Sequence, residues 1–320
     1  MSFILPSCWS GRFGNRMYQY LYAYQYSKIN NIDMMLLSEW EGSKLFKNSP
    51  YKILDKSISD KITENRFLKN DLDPSIDILS KTYKDIAQVF PNSDNAYYYS
   101  GSPSTFCSGC FYHEAIFEPM TKKDILWLFE FSDEVKNSYS YNYWKDRAGT
   151  YDVAHLRRDD VSDPEFNKKY IQWYSTISLN SYYRAFEKFG FDKNNIQLIS
   201  DDHSNKWHED RKPAALLGWK YPEGSIYKQG LIFDWLDDFL KMYFARTIFR
   251  ANSSFSWWAS FLSPTAKVYS PVINESKIYG KNNLFEELDV EFIEGNEPHW
   301  FYEPGVNFSN SGKREIIINE

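Results

Sequence analysis

The sequence predicts an α/β protein made of two Rossmann-like, doubly wound domains that face a central cleft. Three observations lead to this prediction. The chain has 320 residues, which suits two medium-sized domains. Apolar segments of strand length alternate with segments of helix length. Glycine-rich or polar clusters directly follow several predicted strands, which is where ligands bind in open parallel sheets.

The N-terminal half opens with a strand, a glycine turn, a helix and a second strand. The helix is predicted because Met17, Tyr20, Leu21 and Tyr24 recur at the spacing of one buried helical face. The elements are a strand at 3–5, a turn at 10–15, a helix through 17–24 and a strand at 32–37. Residues 50–105 are polar and lack a strong period, so we expect surface helices and loops there.

The C-terminal half alternates more regularly, which predicts a parallel sheet covered on both faces. Strands are predicted at 152–156, 196–200, 246–250 and 267–270, and helices at 179–189, 231–244 and 255–262. A domain boundary is predicted near 145–150, where a charged segment and Gly149 precede a new strand. The predicted domains are 1–148 and 149–300, followed by a C-terminal tail at 301–320.

Composition excludes several classes of function. The net charge of −6 and the pI near 5.5 argue against a broad nucleic-acid-binding face. We find no secretion signal and no run of 18 apolar residues, and we therefore expect a cytoplasmic protein without stable membrane insertion. Of three cysteines, Cys107 and Cys110 have CxxC spacing, but only His113 lies nearby, so two ordinary thiols are expected and not a zinc site.

Two polar clusters follow the first two strands of the C-terminal half. In the first, at 155–160, adjacent Arg157 and Arg158 could clamp a diphosphate or form a surface ion-pair patch. In the second, Asp201 or Asp202 could bind a nucleobase or a ribose hydroxyl, or cap a helix. The same carboxylate pair could instead hold Mg²⁺ or Mn²⁺, which is the main alternative to a metal-free site.

Two further clusters offer helix N-termini. Asn252–Trp258 follows a predicted strand, and its first residues could cap a helix or present free N–H groups to an anion. Gly11–Arg16 provides a comparable turn in the first half. That turn lacks the third glycine of a dinucleotide fingerprint and the GK[ST] of a P-loop, which argues against a dehydrogenase or an ATPase.

Together these motifs resemble the alpha-1,2-fucosyltransferase family and, more distantly, the alpha-1,6- and protein O-fucosyltransferases. The matching segments are GxxGNxxxxY at 11–20, HxRRxD at 155–160, LNSYY at 179–183, SDD at 200–202 and NSSFSWW at 252–258. The resemblance implies a two-domain GT-B fold and an inverting transfer of fucose from GDP-fucose to a hydroxyl of an acceptor glycan. Arginines and N–H groups can stabilise the departing diphosphate without a metal ion, so we expect a metal-independent enzyme without a cofactor.

The resemblance also implies roles for individual residues. Arg157 would stabilise the leaving diphosphate, and Glu165 or, as the nearer alternative, Asp160 would be the catalytic base. Glu165 could instead only open a solvated helix. The candidate donor-binding residues are Arg12, Asn15, His155, Arg158, Asp201, Asp202, Asn252, Ser253, Ser254 and Phe255.

Three further residues, Glu39, Trp40 and Glu41, are candidates for the acceptor side. The alternative for this segment is a surface turn with Trp40 packed inward.

Two departures from the family leave the donor open. Asp159 stands where the family has a small residue, and the opening GRFGNR stands where GGLGNQ is more frequent. One alternative is therefore the same fold and mechanism with another nucleotide-sugar donor, for example a xylosyltransferase. A non-catalytic carbohydrate-binding protein is a second alternative, favoured by the 11 Trp and 25 Tyr residues.

Overall fold

The structure is a computed structural model that describes residues 3–6, 12–31, 33–36, 39–53, 96–99, 120–158, 176–200, 233, 235–272 and 287–296. The chain divides into two compact units between Ser132 and Asp133. Each unit contains its own sheet with parallel strands and its own helices, which confirms the predicted α/β class. In the described part of the chain, no helix is long and apolar enough to cross a bilayer.

The first unit contains a parallel sheet of order β3-β2-β1-β4. Its elements are β1 (Phe3–Pro6), α1 (Phe13–Asn30), β2 (Asp33–Leu36), α2 (Glu41–Leu45), β3 (Lys52–Ile53), β4 (Ala96–Tyr99) and α3 (Lys122–Leu128). The prediction of helices and loops at 50–105 was wrong at β3 and β4. Tyrosines favour strands, but these short segments become strands by pairing with β2 and β1, which a local pattern does not show.

Helix α1 supplies one side of the core of the first unit. Met17, Tyr20, Leu21 and Tyr24 are all buried, which confirms the predicted buried face. The helix begins at Phe13, so Gly14 and Asn15 belong to its first turn. The sequence predicted both residues in the preceding turn. The helix ends at Asn31, whose left-handed backbone lets its N–H bond the carbonyls of the last turn.

The second unit contains a sheet of order β6-β5-β7-β8-β9, in which only the edge strand β9 is antiparallel. Its elements are α4 (Asp133–Lys136), α5 (Tyr139–Lys145), β5 (Asp152–Leu156), α6 (Leu179–Lys188), a 3₁₀ turn (Lys193–Asn195), β6 (Ile196–Ser200), α7 (Leu236–Tyr243), β7 (Thr247–Phe249), α8 (Ser254–Leu262), β8 (Lys267–Val272) and β9 (Glu291–Glu294). The four predicted strands and the helices predicted at 179–189 and 255–262 are present within two residues of their predicted ends. The helix predicted at 231–244 is observed at Leu236–Tyr243, and residues 231, 232 and 234 lie outside the described residues. Strand β9 was not predicted.

The division between the units lies before α4 and α5, whereas the sequence suggested a boundary at 148–149. Helix α5 packs on α7 through a buried carboxylate: Trp144 Nε1 donates a hydrogen bond of 2.8 Å to Asp237 Oδ1, and Ser140 Oγ donates to the same oxygen. These contacts join α5 to the second unit.

Candidate functional site

The candidate site lies at the carboxyl edge of the sheet in the second unit. Strands β5 and β7 are parallel neighbours, with Ala154 opposite Phe249. The chain that leaves β5 towards Arg157 and the chain that leaves β7 towards Asn252 therefore start at the same edge of the sheet. This adjacency brings the described part of the cluster at 155–160 close to the cluster at 252–258, as the sequence predicted.

A buried tyrosine of α6 ties the ends of these two strands. The hydroxyl of Tyr182 donates a hydrogen bond of 2.7 Å to the carbonyl of His155, and the carbonyl of Arg250 lies 3.4 Å away. Burial raises the pKa of Tyr182 well above its ordinary value, so the hydroxyl keeps its proton. Tyr182 therefore acts as a permanent donor between the two strand ends.

Aromatic contacts connect the two clusters directly. The rings of His155 and Phe255 lie 6.0 Å apart, centroid to centroid. Phe255 also meets Phe239 of α7 and Trp235 edge-on, at 5.3 Å and 5.9 Å. His155 itself is buried, so the imidazole forms part of the wall beneath the site.

The N-terminus of α8 combines capping with polar groups that suit a ligand. Ser253 is the N-cap, and its hydroxyl accepts a hydrogen bond of 3.3 Å from the N–H of Phe255. Asn252 and Ser254 are also buried. The Oδ1 atom of Asn252 accepts no hydrogen bond from the described residues, and buried acceptors rarely stay unsatisfied. A ligand donor at this position would satisfy it.

The two neighbouring arginines have different surroundings. Arg158 is buried, and its guanidinium donates hydrogen bonds to the carbonyls of Ile177 (2.8 Å) and Arg157 (3.1 Å) and pairs with Glu287 at 3.4 Å. Arg157 is only partly buried. Arg158, which we expected to bind the donor, therefore holds protein groups, and Arg157 is the more accessible cation of the pair.

In the first unit, the predicted residues lie around the first turn of α1. Arg12 is the exposed N-cap residue, and Asn15 is buried one turn later. Arg16 of this turn forms an ion pair with Glu41, the first residue of α2. The turn predicted to bind the donor is thus joined to the segment predicted to bind the acceptor.

Trp40, a candidate for the acceptor side, packs into the core of the first unit. Its ring is only 3% exposed and stacks on Tyr20 at 4.8 Å and on Phe13 at 6.2 Å. Trp40 packs inward, as the alternative for this segment expected, but it caps the short helix α2 and does not lie in a surface turn. The acceptor-side role of Glu39, Trp40 and Glu41 stays a prediction. Glu39 beside it is exposed.

Some predicted site residues lie outside the described residues: Asp160, Glu165, Asp201 and Asp202. Two described residues that we did not select, Tyr182 and Arg250, lie at the site. Tyr182 belongs to the matching LNSYY segment. Arg250 could have been noticed as a charged residue directly after a strand of the sheet.

The comparisons with known proteins give distant structural similarity only. No family model and no curated protein sequence matches the chain. The structure of NodZ alpha-1,6-fucosyltransferase soaked with GDP-fucose matches with 11% identity and a TM-score of 0.47, covering 91% of this chain and 98% of that chain. Fucosyltransferase NodZ from Bradyrhizobium gives the same four values. A mutant of Arabidopsis thaliana FUT1 in complex with GDP matches with 10% identity and a TM-score of 0.41, covering 86% and 72%. These similarities are too distant to assign the chain to a family.

Proposed function

We propose that the chain is an inverting glycosyltransferase of GT-B type that binds a nucleotide sugar at the carboxyl edge of the sheet in its second unit. The donor is GDP-fucose, and the acceptor is a hydroxyl of a glycan. The residue motifs support the choice of fucose, and the arrangement of the site supports a diphosphate ligand.

The observation that carries the proposal is the meeting of two strand ends. Arg157 follows β5, and the first turn of α8 follows β7, with Tyr182 hydrogen-bonded at the end of β5 and close to the end of β7. A guanidinium and the N-terminus of a helix are complementary to a diphosphate. The Oδ1 of Asn252, which accepts no hydrogen bond within the described part of the chain, adds an acceptor for a donor group of the ligand.

In the proposed reaction, a carboxylate takes the proton of the acceptor hydroxyl while its oxygen bonds to the anomeric carbon of the donor sugar. The bond from that carbon to the diphosphate oxygen breaks, and its electron pair leaves with the diphosphate. Arg157 and the N–H groups of α8 would stabilise the developing negative charge without a metal ion. Glu165 or Asp160 remains the proposed base.

The test measures fucose transfer and nucleotide binding by the variant Arg157→Ala. Transfer from GDP-fucose should fall about 100-fold or more, as when one donor to a developing anion is removed. Arg147→Ala is a matched control, because Arg147 is an exposed arginine that stacks on Tyr143. Transfer near the wild-type rate in Arg157→Ala would remove Arg157 from the mechanism.

A panel of GDP- and UDP-sugars decides between the alternatives. Turnover of a different sugar nucleotide would replace fucose as the donor. Binding of glycans without turnover of any donor would favour a carbohydrate-binding protein. Full activity in EDTA is expected, and a strict requirement for Mn²⁺ would assign Asp201 and Asp202 to a metal site instead.

A further inference from the structure

Arg250 is a buried arginine at the carboxyl end of β7, only 3% exposed. It directly follows Phe249, the last residue of the strand, and precedes the polar segment Asn252–Ser254 by two residues. Its position places a positive charge at the edge of the sheet where Arg157 and the N-terminus of α8 also lie.

Hydrogen bonds to β8 anchor this arginine. Its backbone N–H donates to the carbonyl of Tyr269 at 2.9 Å, and its Nε donates to Ser270 Oγ at 2.8 Å. Ser270 Oγ in turn donates its only proton to the carbonyl of Gly295 at 2.6 Å. A guanidinium can only donate, so the hydroxyl accepts from Nε of Arg250, and the two bonds hold this side chain against β8.

The arginine at the opposite end of β7, Arg246, has a contrasting environment. Arg246 precedes the strand at its amino end, is exposed, and forms a bidentate pair with Asp152 at 3.0 Å and 2.5 Å. One strand therefore has an exposed, ion-paired arginine at the end away from the site and a buried arginine at the site. Arg246 is a natural control for Arg250.

Electrostatic effects on Tyr182 agree with this placement. Burial raises the pKa of Tyr182, and the charges of Arg158 and Arg250 act in the opposite direction. Both guanidinium groups are thus close enough to influence the hydroxyl that lies between β5 and β7. A charge in such a buried place acts more strongly on a neighbouring anion than it would in water.

We propose that Arg250 is a further donor-binding residue, whose positive charge binds the diphosphate of the nucleotide together with Arg157 and the N-terminus of α8. This inference rests on the proposed function, because it assumes a diphosphate at this edge. The nucleoside part of the ligand is not assigned to Arg250, so its effect should be confined to ligands that carry phosphate.

The experiment compares Arg250→Gln with Arg246→Gln by titration calorimetry, using GDP, guanosine and inorganic pyrophosphate as probes. Arg250→Gln should weaken the binding of GDP and of pyrophosphate about 10- to 100-fold, because one charge-assisted interaction is lost. The affinity for guanosine should not change. Arg250→Lys keeps the charge and should recover part of that loss. Arg246→Gln should bind all three probes like the wild type.

A second variant covers the case in which Arg250→Gln does not fold. Ser270→Ala keeps the positive charge but removes the acceptor of Nε, and it should weaken GDP and pyrophosphate several-fold without affecting guanosine. The proposal for Arg250 would be overturned if Arg250→Gln bound GDP and pyrophosphate as tightly as the wild type does. Where Arg250→Gln does not fold, the same result for Ser270→Ala would overturn it. A loss of guanosine binding together with GDP binding would also overturn the proposal, because that result indicates a structural role.

The failure of the proposed function has a different signature. If the wild-type protein binds neither GDP nor pyrophosphate, the diphosphate site itself is wrong, whatever the variants do. If the wild type binds both and Arg157→Ala reduces binding while Arg250→Gln does not, only the inference about Arg250 fails.

Discussion

Adjacent arginines at the end of β5 show how side chains of one type take different roles. Arg158 is held by the carbonyl of Ile177 and the carboxylate of Glu287, both far along the chain from β5. Its bond to the carbonyl of Arg157 also supports the backbone of its neighbour. The sequence located the pair at a strand end, but it could not tell which guanidinium stays accessible, since the partners come from distant segments.

Trp40 provides a prediction at the same scale, because it lies in the core of the first unit. Trp40→Ala should lower the free energy of unfolding by about 3–5 kcal/mol, since it removes a large side chain from contact with Tyr20 and Phe13. The measurement is urea unfolding of the full chain.

Trp127 is the control for this substitution. Its side chain is 51% exposed, and the hydrogen bond that it receives from Asn48 goes to its backbone carbonyl, which Trp127→Ala retains. Trp127→Ala should change stability by about 0.5 kcal/mol or less. If Trp40→Ala unfolded like the wild type but lost affinity for an acceptor glycan, the core role would be wrong and the acceptor-side role would be supported.

At the scale of elements, strands with continuous burial were the most predictable. Strand β5 is buried at every position and was predicted with its observed bounds, and the rule that ligands lie beyond strand ends then located Arg157 and Asn252. Strands β3 and β4 were missed, because β3 is exposed and both are short. These segments form strands because they pair with β2 and β1, and not because of their own pattern of apolar residues.

Helix α7 carries a buried lysine that makes stability depend on pH. Burial lowers the pKa of Lys241 from 10.5 to about 8, while the carboxylates of Asp238 and Asp237 act in the opposite direction. The ammonium lies 5.4 Å from the ring of Trp144 in α5. The unfolded chain therefore binds this proton more tightly, and keeping Lys241 charged costs the folded protein roughly 3 kcal/mol below pH 8.

Lys241→Met should therefore stabilise the protein at pH 7 by up to roughly 3 kcal/mol. The gain should shrink as the pH rises from about 8 towards 10.5, because the folded wild type no longer has to hold the proton. Urea unfolding at pH 7, 8.5 and 10 measures the trend. Lys188→Met, at an exposed position of α6, is the control and should change stability at pH 7 by about 0.5 kcal/mol or less. A gain for Lys241→Met that does not change with pH would contradict this account.

At the scale of the whole molecule, the chain is acidic, with a net charge of −6. A diphosphate is therefore not attracted by the overall charge and has to be bound by local positive groups. In the second unit, Arg157 and Arg250 follow strands at the carboxyl edge of the sheet, whereas the exposed Arg246 at the opposite edge is paired with Asp152. The local arrangement of charge, and not the composition, makes anion binding possible.

The division of the chain gives the last prediction, which concerns α4 and α5. A fragment of residues 133–320 keeps the contacts of Trp144 and Ser140 with Asp237, whereas a fragment of residues 149–320 loses them. The shorter fragment also loses the buried ring of Trp144, so it should be less stable by roughly 3–5 kcal/mol. A domain is stable by only about 5–15 kcal/mol, so this difference is a large part of the total. On heating, the longer fragment should unfold cooperatively at a clearly higher temperature than the shorter fragment. Circular dichroism measures both transitions. Equal unfolding temperatures for the two fragments would place the boundary at 148–149 after all.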